Sequence, residues 1–185
     1  MKFKITLKID RKYGDLLPFN YQYEQSAVIY RILAQADTQY SSWLHENGYL
    51  LHERKRFKLF CYSPFIFEKV RPLPEAGCLK IIGERAVWYI SFIPEKSTLE
   101  FIQGIFAHQS FSIGNKKYQV AFDVVGVEAI PMPQLSEEMT FVALSPICVK
   151  LHEDNKTQYL SPDNPMFAEG VLKGLMARYE SIHGQ

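Results

Sequence analysis

The sequence predicts an α+β fold, with an antiparallel sheet carrying its helices on one face. Three observations carry that expectation. A clean two-residue alternation opens the chain, helical spacing recurs in two separate stretches between strand-like segments, and a Val-rich strand pattern closes just before a Pro-rich break.

Phe3, Ile5, Leu7 and Ile9 alternate with Lys2, Lys4, Thr6 and Lys8, which is the pattern of a strand with one buried and one wet face. Arg11 to Asn20, with Gly14 and Pro18, reads as a loop. A helix is expected from about Tyr21 to Ala36, capped by Asn20, with Val28, Ile29, Ile32, Leu33 and Ala36 as its apolar stripe. A short second helix should run from Thr38 to Asn47, capped by Asp37 or Thr38 and ended by Gly48. Phe57 to Phe67 reads as a buried strand broken near Pro64, and Val70 to Gly77 as a loop punctuated by prolines. Cys78–Ile82 and Ala86–Ile93 look like a hairpin around Gly83-Glu84-Arg85. A helix from Ser97 to Ala107 would bury Leu99, Ile102, Ile105 and Phe106, and strands should follow at Ser110–Ile113 and Tyr118–Ile130.

That order fits a ferredoxin-like (RRM-like) βαββαβ domain over residues 1–133, with Pro131 to Gln134 as linker. Residues 134–185 then offer strands at Met139–Ser145 and Ile147–Leu151 and a helix at Pro165–Ser181. A strand, strand, helix segment buries little alone, so it reads as the start of a second, incomplete ferredoxin-like domain.

Composition is that of an ordinary globular chain, 47% hydrophobic and 22% charged over 185 residues. With 21 basic and 20 acidic side chains, the net charge of +1 offers no bulk attraction for nucleic acid, so any basic surface must be local. Three scattered cysteines form no CxxC pair, which argues against a zinc site or a disulfide framework; Cys61 and Cys148 lie in apolar runs and are expected to be buried. The first residues alternate unlike a signal peptide and no apolar run approaches membrane-spanning length, so no membrane association is expected and a reducing cytoplasm is the expected compartment.

Some residues stand out by position. Tyr30 falls almost opposite the apolar stripe of the first helix, on the face of Tyr23, either as a surface tyrosine or as a phenol offered to a groove. His45 follows Trp43 and Leu44 near the end of the second helix, where the dipole favours an imidazolium. Arg54, Lys55, Arg56 and Lys58 form the densest basic cluster and have Tyr49, Phe57, Phe60 and Tyr62 as aromatic neighbours. Such a cluster is a solvated loop or a phosphate-contacting and base-stacking surface. Asp37, Glu46 and Glu53 are too scattered to suggest a metal site, and no P-loop, dinucleotide loop, GxSxG or HExxH is present.

Four segments, in order and at preserved spacing, resemble the CRISPR-associated repeat-RNA processing endoribonuclease family. They are Pro18-Phe19-Asn20-Tyr21-Gln22-Tyr23 with Gln25-Ser26-Ala27-Val28-Ile29-Tyr30, then Trp43-Leu44-His45-Glu46, then Phe57-Lys58-Leu59-Phe60-Cys61-Tyr62-Ser63-Pro64, and finally Thr140-Phe141-Val142-Ala143-Leu144-Ser145-Pro146-Ile147. The resemblance implies two ferredoxin-like domains with an RNA-binding cleft and a catalytic set of tyrosine, histidine and lysine, carried over here to Tyr30, His45 and Lys58. It implies metal-independent cleavage of CRISPR repeat RNA to guide RNAs without a cofactor, through attack of the 2′-hydroxyl and release of a 2′,3′-cyclic phosphate and a 5′-hydroxyl. Arg54, Lys55 and Arg56 would bind RNA. An imidazole of ordinary pKa ~6.5 serves either proton transfer at neutral pH, so His45 is acid or base; a phenol near ~10 is a poor base unless its site lowers it, which leaves Tyr30 as partner base or positioner. Lys58 would neutralise phosphate charge. The family's glycine-rich loop near the C-terminus has no counterpart before Gln185, consistent with the incomplete second domain. Two other classes stay open: a non-catalytic repeat-RNA-binding subunit and a ferredoxin-like protein-interaction module. A guide-RNA surveillance complex and a homodimer are the protein partners left open.

Overall fold

The computed structural model describes residues 1–51, 55–153 and 156–184. The strands are β1 (Lys2–Asp10), β2 (Leu16–Pro18), β3 (Tyr49–Leu51), β4 (Lys55–Phe57), β5 (Phe60–Tyr62), β6 (Ile66–Phe67), β7 (Val70–Leu73), β8 (Cys78–Ile81), β9 (Arg85–Phe92), β10 (Ser110–Gly114), β11 (Gln119–Ile130), β12 (Lys150–Glu153) and β13 (Lys156–Tyr159). The helices are α1 (Gln22–Ala36), α2 (Thr38–Glu46), α3 (Glu95–Ala107) and α4 (Pro165–His183). The chain is thus a mixed α+β fold.

Its main sheet is antiparallel, in the order β10-β11-β1-β9-β5, with β6 also pairing with β9. β1 lies in its middle and buries Phe3, Ile5, Leu7 and Ile9, as its alternation requires. Directly across on β9 stand Ile90, Trp88 and Ala86, paired with Phe3, Ile5 and Leu7, so the two strands feed one face of the core. The other face is wet and carries the Lys4–Glu128 ion pair.

α1 and α3 pack closely together over the core. Gly104 of α3 sits so near α1 that a Cβ built on it would lie 1.8 Å from the Ile32 carbonyl oxygen. Only glycine allows that approach. The buried side of α3 is Ser97, Thr98, Phe101, Gly104 and Ile105, whereas Leu99 and Phe106 point to solvent. The expected face was rotated because Gly104, invisible to an apolar count, defines the contact. In α1 Val28, Ile29, Ile32 and Leu33 are buried as expected, but Ala36 is exposed. Asn20 does not cap α1, whose N-cap is Tyr21 with no side-chain bond; the Tyr21 hydroxyl instead points inward and accepts from the Phe65 N–H at 3.0 Å.

Other expectations change with tertiary context. Cys78–Ile81 and Arg85–Phe92 are strands but do not pair as a hairpin: β8 joins β2 and β7 in a separate small sheet while β9 enters the main one. The Glu68 carboxylate holds the corner by accepting from the Glu84 and Arg85 N–H groups, both at 3.1 Å. Residues 11–20 and 70–77, expected to be loops, contain β2 and β7; Pro18 and Pro72 are tolerated there because both strands are edges of that sheet. The expected strand 57–67 is broken twice, after Phe57 and after Tyr62. Residues 139–145 form no strand, with Phe141 and Val142 exposed; β12 and β13 form a two-stranded hairpin instead. Pro165 and the Asn164 side chain, which accepts from Met166 N–H at 2.9 Å, start α4 as the sequence suggests. Cys78 is buried, but Cys61 and Cys148 are exposed, contrary to their apolar neighbourhoods. Among the described residues no helix is long and apolar enough to cross a membrane.

Candidate active site

The site forms where the end of α2 meets the last turns of α1 and the turn between β4 and β5. Asp37 makes the sharp α1–α2 corner by accepting from Tyr40 N–H at 2.8 Å, a bond that, with Lys96 beside it, holds the Asp37 carboxyl below its ordinary range. Buried Ser41 donates from Oγ to the Tyr30 carbonyl at 2.8 Å and so pins α2 against α1. Leu44 is fully buried, which turns the next residue, His45, outward over α1.

The His45 imidazole meets the Tyr30 ring there, with centroids 4.9 Å apart and planes at 84°. Tyr30 in turn stands edge-on to Phe60, at 5.7 Å and 76°. It is half-buried against the core, not on an outer surface with Tyr23, which is 81% exposed. Burial pushes the Tyr30 phenol above its ordinary range, and the neighbouring Tyr62 hydroxyl adds to the effect. The site therefore keeps this phenol protonated, the reverse of the lowering that a base would need.

Lys58 reaches the same place from the other side. Its ammonium donates to the Leu44 and His45 carbonyls, while Arg56 Nη1 donates to the Glu46 carbonyl at 3.1 Å. Two cations thus cap the negative end of α2. Gly48, at φ +68°, makes the crossing feasible: a Cβ there would lie 2.7 Å from the Phe57 carbonyl oxygen and 3.3 Å from Lys58 Cδ. Leu59 follows at φ +55°, an uncommon left-handed conformation for this residue type, and lets the chain turn from Lys58 into β5. Burial, and then the charge of Arg56, push the Lys58 ammonium below the ordinary lysine value.

Beside Lys58 lies a groove of about 380 Å³ walled by Arg56, Phe57, Phe60 and Cys61, and by Arg178 from α4. Of the basic cluster, Arg56 lines this groove, Lys55 pairs with Leu51 in the β3–β4 ribbon, and Arg54 lies outside the described residues. Arg178 joins the site only through the fold. Its guanidinium lies over the Phe57 ring at 5.3 Å, a contact across more than a hundred residues that no local pattern announces. Among the described residues no group of three or more His, Cys, Asp or Glu side chains could hold a metal ion.

Comparison with known proteins places the chain. The family model described as CRISPR-associated protein Cas6, N-terminal, matches residues 16–123, and CRISPR associated protein Cas6, C-terminal, matches residues 130–185. The chain belongs to the Cas6 family. Among its Cas6 relatives, the CRISPR-associated endoribonuclease Cas6 1 of Methanocaldococcus jannaschii is 26% identical over 98% of this chain and 67% of its own length. The putative CRISPR-associated endoribonuclease-like protein Cas6nc of Pyrococcus horikoshii is 26% identical over 100% of this chain and 73% of its own. A solved structure of a Cas6-related gene product from Pyrococcus furiosus superposes with a TM-score of 0.80 at 25% identity, over all of this chain and 72% of that one. A RAMP protein described as binding different RNA substrates superposes at 0.78, also at 25% identity and covering 72% of its chain. The chain therefore spans about two thirds to three quarters of the length of these Cas6 relatives.

Proposed function

We propose that this chain is an endoribonuclease that cleaves CRISPR repeat RNA by metal-independent transesterification. The observation that carries the reading is the contact of Tyr30 with His45, on the helix end that Lys58 caps. The endoribonuclease names of its Cas6 relatives support the same activity.

In this chemistry the 2′-oxygen of RNA attacks the adjacent phosphorus, the bond from phosphorus to the 5′-oxygen breaks, and a 2′,3′-cyclic phosphate and a 5′-hydroxyl result. One group must take the 2′-hydroxyl proton and another must give a proton to the departing oxygen. His45 is exposed on the last turn of α2, where its ring is open to a bound phosphodiester, so it takes one of these transfers. Tyr30, held protonated by burial, acts as a hydrogen-bond donor that positions the nucleotide. Lys58 supplies positive charge through its remaining N–H donor and its field on the phosphate.

The wider reading is a ferredoxin-like first domain, supported by the β11-β1-β9-β5 strand order with α1 and α3 as its crossover helices, followed by the beginning of a second such domain. Repeat RNA is its substrate, bound with the help of Arg56 and the neighbouring Lys55 and Arg54, and the cytoplasm its working compartment. A second reading, a repeat-RNA-binding subunit that does not cut, draws on the engagement of the Lys58 ammonium by backbone carbonyls. Incubation with repeat RNA in EDTA separates the two. A single cut with a 2′,3′-cyclic phosphate end supports the nuclease, and tight binding with no cut at saturating protein rejects it in favour of the binder.

A further inference from the structure

Among the described residues, the groove beside Lys58 is lined by three cations, Arg56, Lys58 and Arg178, and by no carboxylate. In a chain whose net charge is only +1, that is a local concentration of positive charge. All three are engaged with the protein. Arg56 and Lys58 donate to the carbonyls that end α2.

Arg178 differs. It comes from α4, on the opposite wall, and its guanidinium is held over the Phe57 ring 5.3 Å from the centroid. Among the described residues it donates only from Nη1, to the Gly174 carbonyl of its own helix at 2.6 Å. Of the five N–H donors of a guanidinium, those on Nη2 and Nε remain directed along the plane of the fork. Gly174 leaves the room for this pose, since a Cβ there would stand 3.2 Å from Arg178 Nη1. A planar cation fixed by an aromatic face, with its edge donors uncommitted, matches the paired oxygens of a phosphodiester better than it matches a neutral base.

We propose that Arg178 is a further RNA-binding residue, gripping a backbone phosphate of the strand that lies in the groove beside Lys58. This rests on the RNA-cleaving reading of the chain. Arg178 acts on a phosphate flanking the scissile one and does not touch the reacting atoms. Phe57 is its support, which gives this ring a role beyond strand packing.

The test is binding of cognate repeat RNA, made uncleavable by a 2′-deoxy nucleotide at the cut, measured across a salt series. Arg178→Ala is expected to weaken binding about tenfold and to lower the slope of log K against log salt by about 0.7, the loss of one phosphate contact on a single strand. Arg178→Lys should restore the slope but not the full affinity, because the charge returns without the fork. Lys173→Ala removes a cation from the same helix, one paired with Glu169 at 2.6 Å, and should leave the slope unchanged. An Arg178→Ala variant with wild-type affinity and slope overturns the proposal, and so does an equal fall in Lys173→Ala, which would make the effect a general one of charge. If the wild-type chain binds and cuts RNA while Arg178→Ala matches it, only the role of Arg178 is lost. A wild-type chain that fails to bind repeat RNA at all rejects both readings.

Discussion

The Tyr30 phenol and the His45 imidazole meet edge to face, 4.9 Å between centroids, although they lie on different helices that turn sharply at Asp37. Such a contact stabilises the ring packing by roughly 0.5–1.5 kcal/mol beyond buried area and fixes where the imidazole can point.

Replacing His45 by Ala should reduce single-turnover cutting by ~10²–10⁴-fold while RNA affinity changes little, because the lost group is a proton carrier and is not a major phosphate contact. Cutting assays and filter binding on the same preparation measure the two. Parallel loss of affinity and rate would reject the proton-transfer role.

Tyr30→Phe keeps the ring against His45 and Phe60 and removes only the hydroxyl. If Tyr30 donates to the substrate, the rate should fall about tenfold to a hundredfold, the loss of one hydrogen bond to a charged group, with an unchanged melting temperature. An unaltered rate would leave Tyr30 as a packing residue alone.

Lys58 makes the alkaline side of the pH profile informative. Its pKa is pushed below the ordinary 10.5 by burial and then by Arg56, so the ammonium that cutting requires is lost at a lower pH than for a free lysine. Because the folded-state pKa is the depressed one, the contribution of Lys58 to stability rises over that same interval, from the lowered pKa up to 10.5. A falling rate there is therefore not caused by unfolding through Lys58. Lys58→Arg stays charged throughout, so its alkaline limb should move to higher pH, as rate measurements across that range would show; a limb that stays in place would assign it to another group.

Gly104→Ala should destabilise the protein by about 1–3 kcal/mol, since the added methyl would press on the Ile32 carbonyl oxygen and force α1 from α3. Urea unfolding gives the number, and a midpoint equal to wild type would mean that the helices part at no cost.

The sequence was most informative where structure is local. The alternation of Phe3, Ile5, Leu7 and Ile9, the stripe from Val28 to Leu33 and the Asp37 cap are decided within a few residues, and all three are found. It was least informative where partners are chosen at a distance. Nothing near Cys78 indicates that β8 leaves the main sheet for β2 and β7, and nothing in 139–145 reveals that its apolar alternation has no strand beside it. The site divides in the same way. Tyr30, His45 and Lys58 were readable as residue types in order, but the direction of the Lys58 side chain depends on a left-handed Leu59 and a glycine at 48, and Arg178 meets Phe57 only once α4 is in place.

Cys61 faces solvent on the wall of the groove next to Phe60, Cys78 is sealed in the core and Cys148 is exposed in an adjoining pocket that shares Phe57 and Arg178. With Cys148 replaced by serine, the remaining accessible thiol stands at the rim of the candidate active site. A fluorophore or spin label attached there would register the arrival and departure of RNA as they happen, and would separate the rate of loading from the rate of bond cleavage without altering any residue assigned to the chemistry.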